Sequence, residues 1–193
     1  GVWRNRPGVN NYSQPEGDQP IDEAYAEARA FYDGITPATT VSEINAKKEY
    51  LQGLEKNLTI NQPNDGSFYR LRNVASQNYL SSSTSAVSET DSEIRLEMLG
   101  QNATNPDLMF MLNDNALLSY SKGQYINVHN LANIGSKSAV AFTAAANGKI
   151  GQYNINVGEK YIYGQGNTKN GHVDSGSNKP TATNTDGYNW CLE

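Results

Sequence analysis

The densest concentration of side chains able to do chemistry lies between residues 161 and 190. Tyr163, Gln165, Asn167, Asn170, His172, Asp174, Asn178, Asp186, Tyr188 and Asn189 all fall in that span. Aromatic faces beside fixed amide and carboxylate groups are what a pocket for a small polar ligand needs. Tyr163, Asn170, His172, Asp174 and Asn189 supply those types and are the candidate ligand-binding residues. The same types also build β-turns and Asx-turns, because Asn and Asp bond their own backbone and tolerate turn conformations. Bond-making chemistry finds less support. Cys191 would need His129 or His172 for a dyad, yet it stands in a strand-like run, where a lone cysteine reads as a small buried hydrophobe. The two histidines lack the i, i+4 spacing of a helical zinc pair. Glu89, Asp91, Glu93 and Glu97 are grouped along one stretch, which reads as a solvated loop and edge strand, whereas glycosidase acids face each other across a cleft. No phosphate-binding glycine loop or nucleophile elbow is present. Neither an enzyme nor a cofactor or metal is expected.

The bulk composition says what must carry these residues. Of 193 residues, 37% are hydrophobic and 18% charged, while 17 Gly and 12 Tyr fill the gap. That mixture suits short strands with frequent turns and lacks the Glu/Lys/Leu bias of a helical protein. A net charge of −5 with no Lys/Arg cluster argues against nucleic acid, because phosphate neutralisation needs grouped cations. Arg70 and Arg72 read as one solvated strand face. No run approaches the ~18 apolar residues of a membrane span. A first residue of Gly1, and a last stretch (190–193) that is itself strand-like, read as a piece of a longer protein.

Three elements follow along the chain. Residues 1–20 hold Pro7, Pro15 and Pro20 and read as an extended arm, with Trp3 available to anchor it. Residues 21–60 read as a helical hairpin. Ile21, Ala24, Tyr25, Ala28, Phe31 and Tyr32 share one helix face, and Asp33-Gly34 ends it. Thr40 and Glu43 form a capping box ahead of Ile44, Leu51, Leu54 and Leu58. The stripes are narrow, so the hairpin either packs on the rest of the chain or belongs to a larger helical module. Residues 61–66 stack turn formers, and from there the hydrophobic period is 2.

From residue 67 onward the pattern predicts eleven or twelve short strands, and a phrase recurs. Asn78-Tyr79-Leu80, Gln124-Tyr125-Ile126 and Lys160-Tyr161-Ile162 each follow an alternating run, with the tyrosines 46 and 36 positions apart. One such unit cannot bury its own apolar face, but three closing on one another can, which predicts a closed all-β barrel. A repeated tyrosine implies a structural need, so Tyr79, Tyr125 and Tyr161 are expected in the core or capping the barrel. Trp190 is also expected in the core.

The residues carrying that phrase also resemble a family. Phe68-Tyr69-Arg70-Leu71-Arg72-Asn73-Val74-Ala75-Ser76 with Asn78-Tyr79-Leu80 looks like the opening of a ricin-type β-trefoil repeat, and Trp190-Cys191-Leu192-Glu193 looks like its last strand. The stretch 164–172 is similar to trefoil domains of secreted proteins of Bacteroides-like bacteria. The resemblance covers residues 66–193. It implies a mainly β fold, a β-trefoil over 66–193 preceded by a two-helix hairpin (21–60) and an extended arm (1–20). It implies a non-catalytic, lectin-like module binding a carbohydrate, extracellular or at the cell surface, with other domains of a parent chain as partners. The competing reading is a structural or protein-interaction module with no sugar site. The family's Gln-x-Trp is missing, its places taken by Phe110, Phe142 and Trp190, and its early Asp has no clear counterpart.

Overall fold

The computed structural model describes residues 12–86, 92–98, 104–127, 130–132, 134–164, 173–176, 179–181 and 187–193. Two compact units divide them, 12–61 and 62–193. In the first, α1 (Ile21–Asp33) and α2 (Val41–Lys56) form the expected hairpin. The capping box is present as read. Thr40 Oγ1 accepts from the Glu43 N–H at 3.2 Å, and the Glu43 carboxylate accepts from the Thr40 N–H at 2.7 Å, which holds that carboxyl below its usual range. Ile21, Ala24 and Leu54 form a small core joined by Tyr12, Tyr25, Leu51 and Leu58. Residues 12–20 are part of this unit. β1 (Tyr12–Ser13) pairs antiparallel with β2 (Thr59–Ile60), placing Tyr12 on the hairpin's core and clamping its two ends together. The stretch 12–20 of the expected arm thus belongs to the hairpin unit, and residues 1–11 lie outside the described residues.

In the second unit the described residues form thirteen strands of one antiparallel sheet. They are β3 (Phe68–Tyr69), β4 (Leu71–Asn73), β5 (Tyr79–Ala86), β6 (Ser92–Glu97), β7 (Phe110–Asn113), β8 (Ala116–Ser119), β9 (Tyr125–Asn127), β10 (Asn130–Ala132), β11 (Val140–Ala144), β12 (Tyr153–Val157), β13 (Lys160–Gly164), β14 (Val173–Gly176) and β15 (Asn189–Leu192). With β3 and β4 as one strand interrupted at Arg70, the order is four strands repeated three times. Ladders β3–β7, β7–β8, β11–β12, β12–β15 and β15–β4 run around a barrel, and the Val140 N–H donates to the Asn115 carbonyl at 2.7 Å where β11 meets β8. Hairpins β5–β6, β9–β10 and β13–β14 complete the three repeats, and β6 pairs with β10 through Glu93 and Asn130. This is the β-trefoil.

Ladder register shows which residues are equivalent. Tyr79 faces Arg72, Tyr125 faces Leu118, and Tyr161 faces Asn156. The residues preceding those partners are Leu71, Leu117 and Ile155, and those following the tyrosines are Leu80, Ile126 and Ile162; all six are fully buried. Each such side chain contributes ~1.5–3 kcal/mol by leaving water. Alternation along the strand puts the tyrosines on the opposite face. They are thus repeated on the outward side of the strands, where Tyr79 and Tyr125 are nonetheless buried, at 7% and 5% exposure, and Tyr161 is half-buried. The Tyr79 hydroxyl donates to Glu193 at 2.7 Å under the Arg70 guanidinium, and the Tyr125 hydroxyl accepts from Asn113 at 2.8 Å under the Lys137 ammonium. Beneath them the interior combines these six aliphatic side chains with the buried Trp190, Phe110 and Tyr153.

The same register corrects one equivalence. Trp190 stands opposite Asn73 and Phe110 opposite Ser119, both fully buried, but the residue opposite Val157 is Val140. Phe142 lies two positions further, opposite Ile155, where it meets the Tyr153 ring edge-on at 5.9 Å. Nor is the acidic strand an edge: β6 lies between β5 and β10.

Candidate functional site

Tyr163 sits on β13, one residue past the buried Ile162, so alternation turns it outward. Tyr188 reaches the same place from 25 residues away. Its position is fixed by the turn that starts β15. Gly187 has φ +79°, and a Cβ there would stand 2.3 Å from the Gly164 carbonyl, so only glycine lets the two backbones cross. The crossing is locked by the Gly164 N–H donating to the Gly187 carbonyl at 3.0 Å and by the buried Asn73 amide donating to that carbonyl at 2.8 Å. Asn154 donates to the Tyr188 carbonyl at 3.0 Å. Across the hairpin, Gly176 leaves room for the Tyr188 hydroxyl, which would lie 2.8 Å from a Cβ at that position. The result is a tilted ring pair, Tyr163 and Tyr188, with centroids 4.8 Å apart and planes at 33°, both rings partly exposed.

The other candidates divide. Asp174 lies on β14 directly opposite Tyr163 in the ladder, so the backbone brings it to the tyrosine pair. Asn170 and His172 lie outside the described residues. Asn189 is 3% exposed, and its side-chain carbonyl accepts from the Asn154 amide at 2.7 Å. It therefore faces the interior and cannot touch a ligand in solvent; its part is to hold, through Asn154, the strand that carries Tyr188. Asn73, Asn154 and Asn189 form this buried amide support.

Register also exposes positions that the sequence reading missed. The residue two past each repeat tyrosine, with its ladder partner, is Ser81–Arg95 in the first repeat, Asn127–Asn130 in the second and Tyr163–Asp174 in the third. One structural place thus holds a hydroxyl with a cation, two amides, and an aromatic with a carboxylate. Asn127 is held by the Ser138 hydroxyl at 2.7 Å, while Arg95 is half-buried with its Nε sealed from solvent and without a hydrogen-bond partner among the described residues. Counting two residues past each Tyr would have found the first member of each pair; the second needed the hairpin lengths. The three equivalent places therefore differ in chemistry, Ser81 being fully buried, and among the described residues the stacked rings lie at the third.

Elsewhere the described residues hold no group of three His, Cys, Asp or Glu arranged for a metal ion. Cys191 is buried, and burial pushes its thiol up, away from the reactive thiolate.

Neither a known family model nor any curated protein sequence matches this chain. Solved structures do. A ricin B-like lectin of Macrolepiota procera, solved in complex with lactose, superposes with a TM-score of 0.53 at 13% identity, over 69% of this chain and 99% of the lectin. The Rhizoctonia solani agglutinin gives 0.49 at 14% identity, over 68% and 97%. A mosquitocidal holotoxin gives 0.48 at 11% identity, over 73% of this chain and 20% of the toxin. At such identities the likeness is one of fold.

Proposed function

We propose that residues 62–193 are a non-catalytic, lectin-like carbohydrate-binding module of a larger secreted or cell-surface protein, with its site in the third repeat. The observation that carries this reading is the Tyr163–Tyr188 pair, two partly exposed rings brought together by the Gly164–Gly187 crossing. Stacked rings suit the apolar face of a pyranose, and Asp174, opposite Tyr163, supplies the carboxylate such a site uses for hydroxyls. Asn170 and His172, on the segment joining β13 to β14, are proposed to complete it. The M. procera lectin's complex with lactose supports the ligand class. Glycan-array screening followed by calorimetric titration tests the reading: binding of one glycan class, lost in Tyr163→Ala, is expected. Silence across mono-, oligo- and host glycans overturns it.

A second reading, a module that docks or spaces a neighbouring domain, is favoured by the loop end of the helical hairpin. Tyr32, Ile35 and Val41 are 42%, 40% and 73% exposed there. Charged substitutions at these three residues separate the readings, because they leave glycan titration untouched while abolishing a protein contact.

A further inference from the structure

The outward sides of the three strand junctions differ. Where the first repeat meets the second, Phe68, Met111 and Leu118 stand in one cross-strand row on β3, β7 and β8. Phe68 is 46% exposed, and Tyr120, 58% exposed, meets it edge-on at 5.5 Å. Ladder register identifies the counterparts of this pair elsewhere in the barrel. Tyr153 stands opposite Trp190 as Tyr69 stands opposite Phe110, so Gln152 takes the place of Phe68 at the third junction. Asn73 stands opposite Trp190 as Ser119 stands opposite Phe110, so Val74 takes the place of Tyr120 there. At the second junction Val157 stands opposite Val140, which gives that place to Gly158. The barrel thus closes without either ring. Two exposed aromatics in contact at a single junction serve something other than closure, since their apolar surface stays in water.

We propose that the Phe68–Tyr120 pair is a second carbohydrate-binding platform, sharing no residue with the Tyr163–Tyr188 pair. The edge-on contact, with planes at 90°, fixes both rings while each stays exposed. What lies beside them is polar. Ser121, the next residue, is exposed and donates its hydroxyl to Asp107 at 2.6 Å, and the Ser82 hydroxyl lies 3.0 Å from it. Asp107 is itself fixed by the single turn Pro106–Leu108, where its N–H donates to the Asn105 side chain at 3.0 Å. Among the described residues only one oxygen of that carboxylate is engaged, which leaves the other to accept from a ligand hydroxyl. Lys122, exposed on the turn that carries Ser121, adds a donor. Ring faces beside a fixed carboxylate, hydroxyls and an ammonium suit the apolar side and the hydroxyls of a pyranose. The centre of a protein–protein interface is instead depleted of charge.

Of the chain's three methionines, Met111 lies between Phe68 and Leu118 in the row, so its methyl group reports on the platform, and Met98, just past β6, serves as reference. The full chain, labelled with carbon-13 at the methionine methyls, is titrated by NMR with lactose, mannotriose, cellotriose and chitotriose as probes. At least one of these sugars should shift the Met111 methyl saturably while Met98 stays still. That response should survive Tyr163→Ala with its affinity changed by less than about two-fold. Phe68→Gln and Tyr120→Val, which place here the residues the third junction already carries, should each weaken it about ten-fold with the barrel intact. The proposal is overturned if no probe moves Met111, if the shift grows without saturating, if Tyr163→Ala abolishes it, or if both platform variants leave it unchanged. The two sites fail separately. Sugar binding that Tyr163→Ala removes while Met111 never responds overturns the second platform and supports the third-repeat site. A saturable Met111 response in a chain whose sugar binding is indifferent to Tyr163→Ala supports the platform and counts against the third repeat.

Discussion

At the scale of single residues, a side chain's chemistry is set by which side of a strand it takes. Tyr163 and Asn189 were equal candidates by type. One stacks on Tyr188 at the surface, and the other is spent on Asn154 inside. Tyr188→Ala is accordingly expected to weaken glycan affinity about ten-fold, a loss of ~1.4 kcal/mol, by titration calorimetry, with the far-ultraviolet circular dichroism unchanged. Two buried tyrosines carry a second expectation. Burial first, then the hydrogen bond to Glu193, pushes the Tyr79 phenol up to about 12, and burial does the same for Tyr153. An unfolded phenol ionises near 10, so the folded state keeps its proton longer. The stabilisation is complete below pH 10 and is lost as pH rises from there through about 12. Chemical denaturation across that range should show a shallower alkaline loss in Tyr79→Phe than in the parent; equal slopes would exclude Tyr79 as a contributor.

Elements were legible where the signal is local. The capping box, the helix faces and the alternation of the strands all follow from neighbours three, four or two residues apart. Thr40→Ala removes the acceptor for the Glu43 N–H and should cost the hairpin about 1 kcal/mol, visible as faster amide exchange in the first turn of α2. Register was not legible, because it depends on which two strands meet and on the turn between them. The sequence placed Phe142 with Phe110 and Trp190; the ladder gives that place to Val140. The Gly164–Gly187 crossing was likewise hidden, being a contact between two loops' ends far apart in the chain. Gly187→Ala combines positive φ with a clash against backbone, and should lower stability by about 2 kcal/mol or more in urea titration while also weakening glycan binding.

For the whole molecule, closure of the barrel is the organising event. β15 pairs with both β12 and β4, joining the last repeat to the first. Trp190 lies at that seam, fully buried, its indole N–H donating to the Ile162 carbonyl at 3.2 Å. Trp190→Ala opens a cavity and orphans a carbonyl together, so a loss of ~3–5 kcal/mol is expected in denaturant melts of residues 62–193. A loss below 1 kcal/mol would mean that the seam contributes little.

By itself the sequence determined the three-part repeat, the helical hairpin and the class of residue gathered near the end of the chain. Those are statements about period and composition, which a linear string records. Tertiary structure alone decided that the repeat tyrosines face outward, that Asn189 faces inward, and that Tyr163 meets Tyr188. Each of these depends on ladder register and on backbone crossings between residues distant along the chain, and such contacts exist only once the strands have closed.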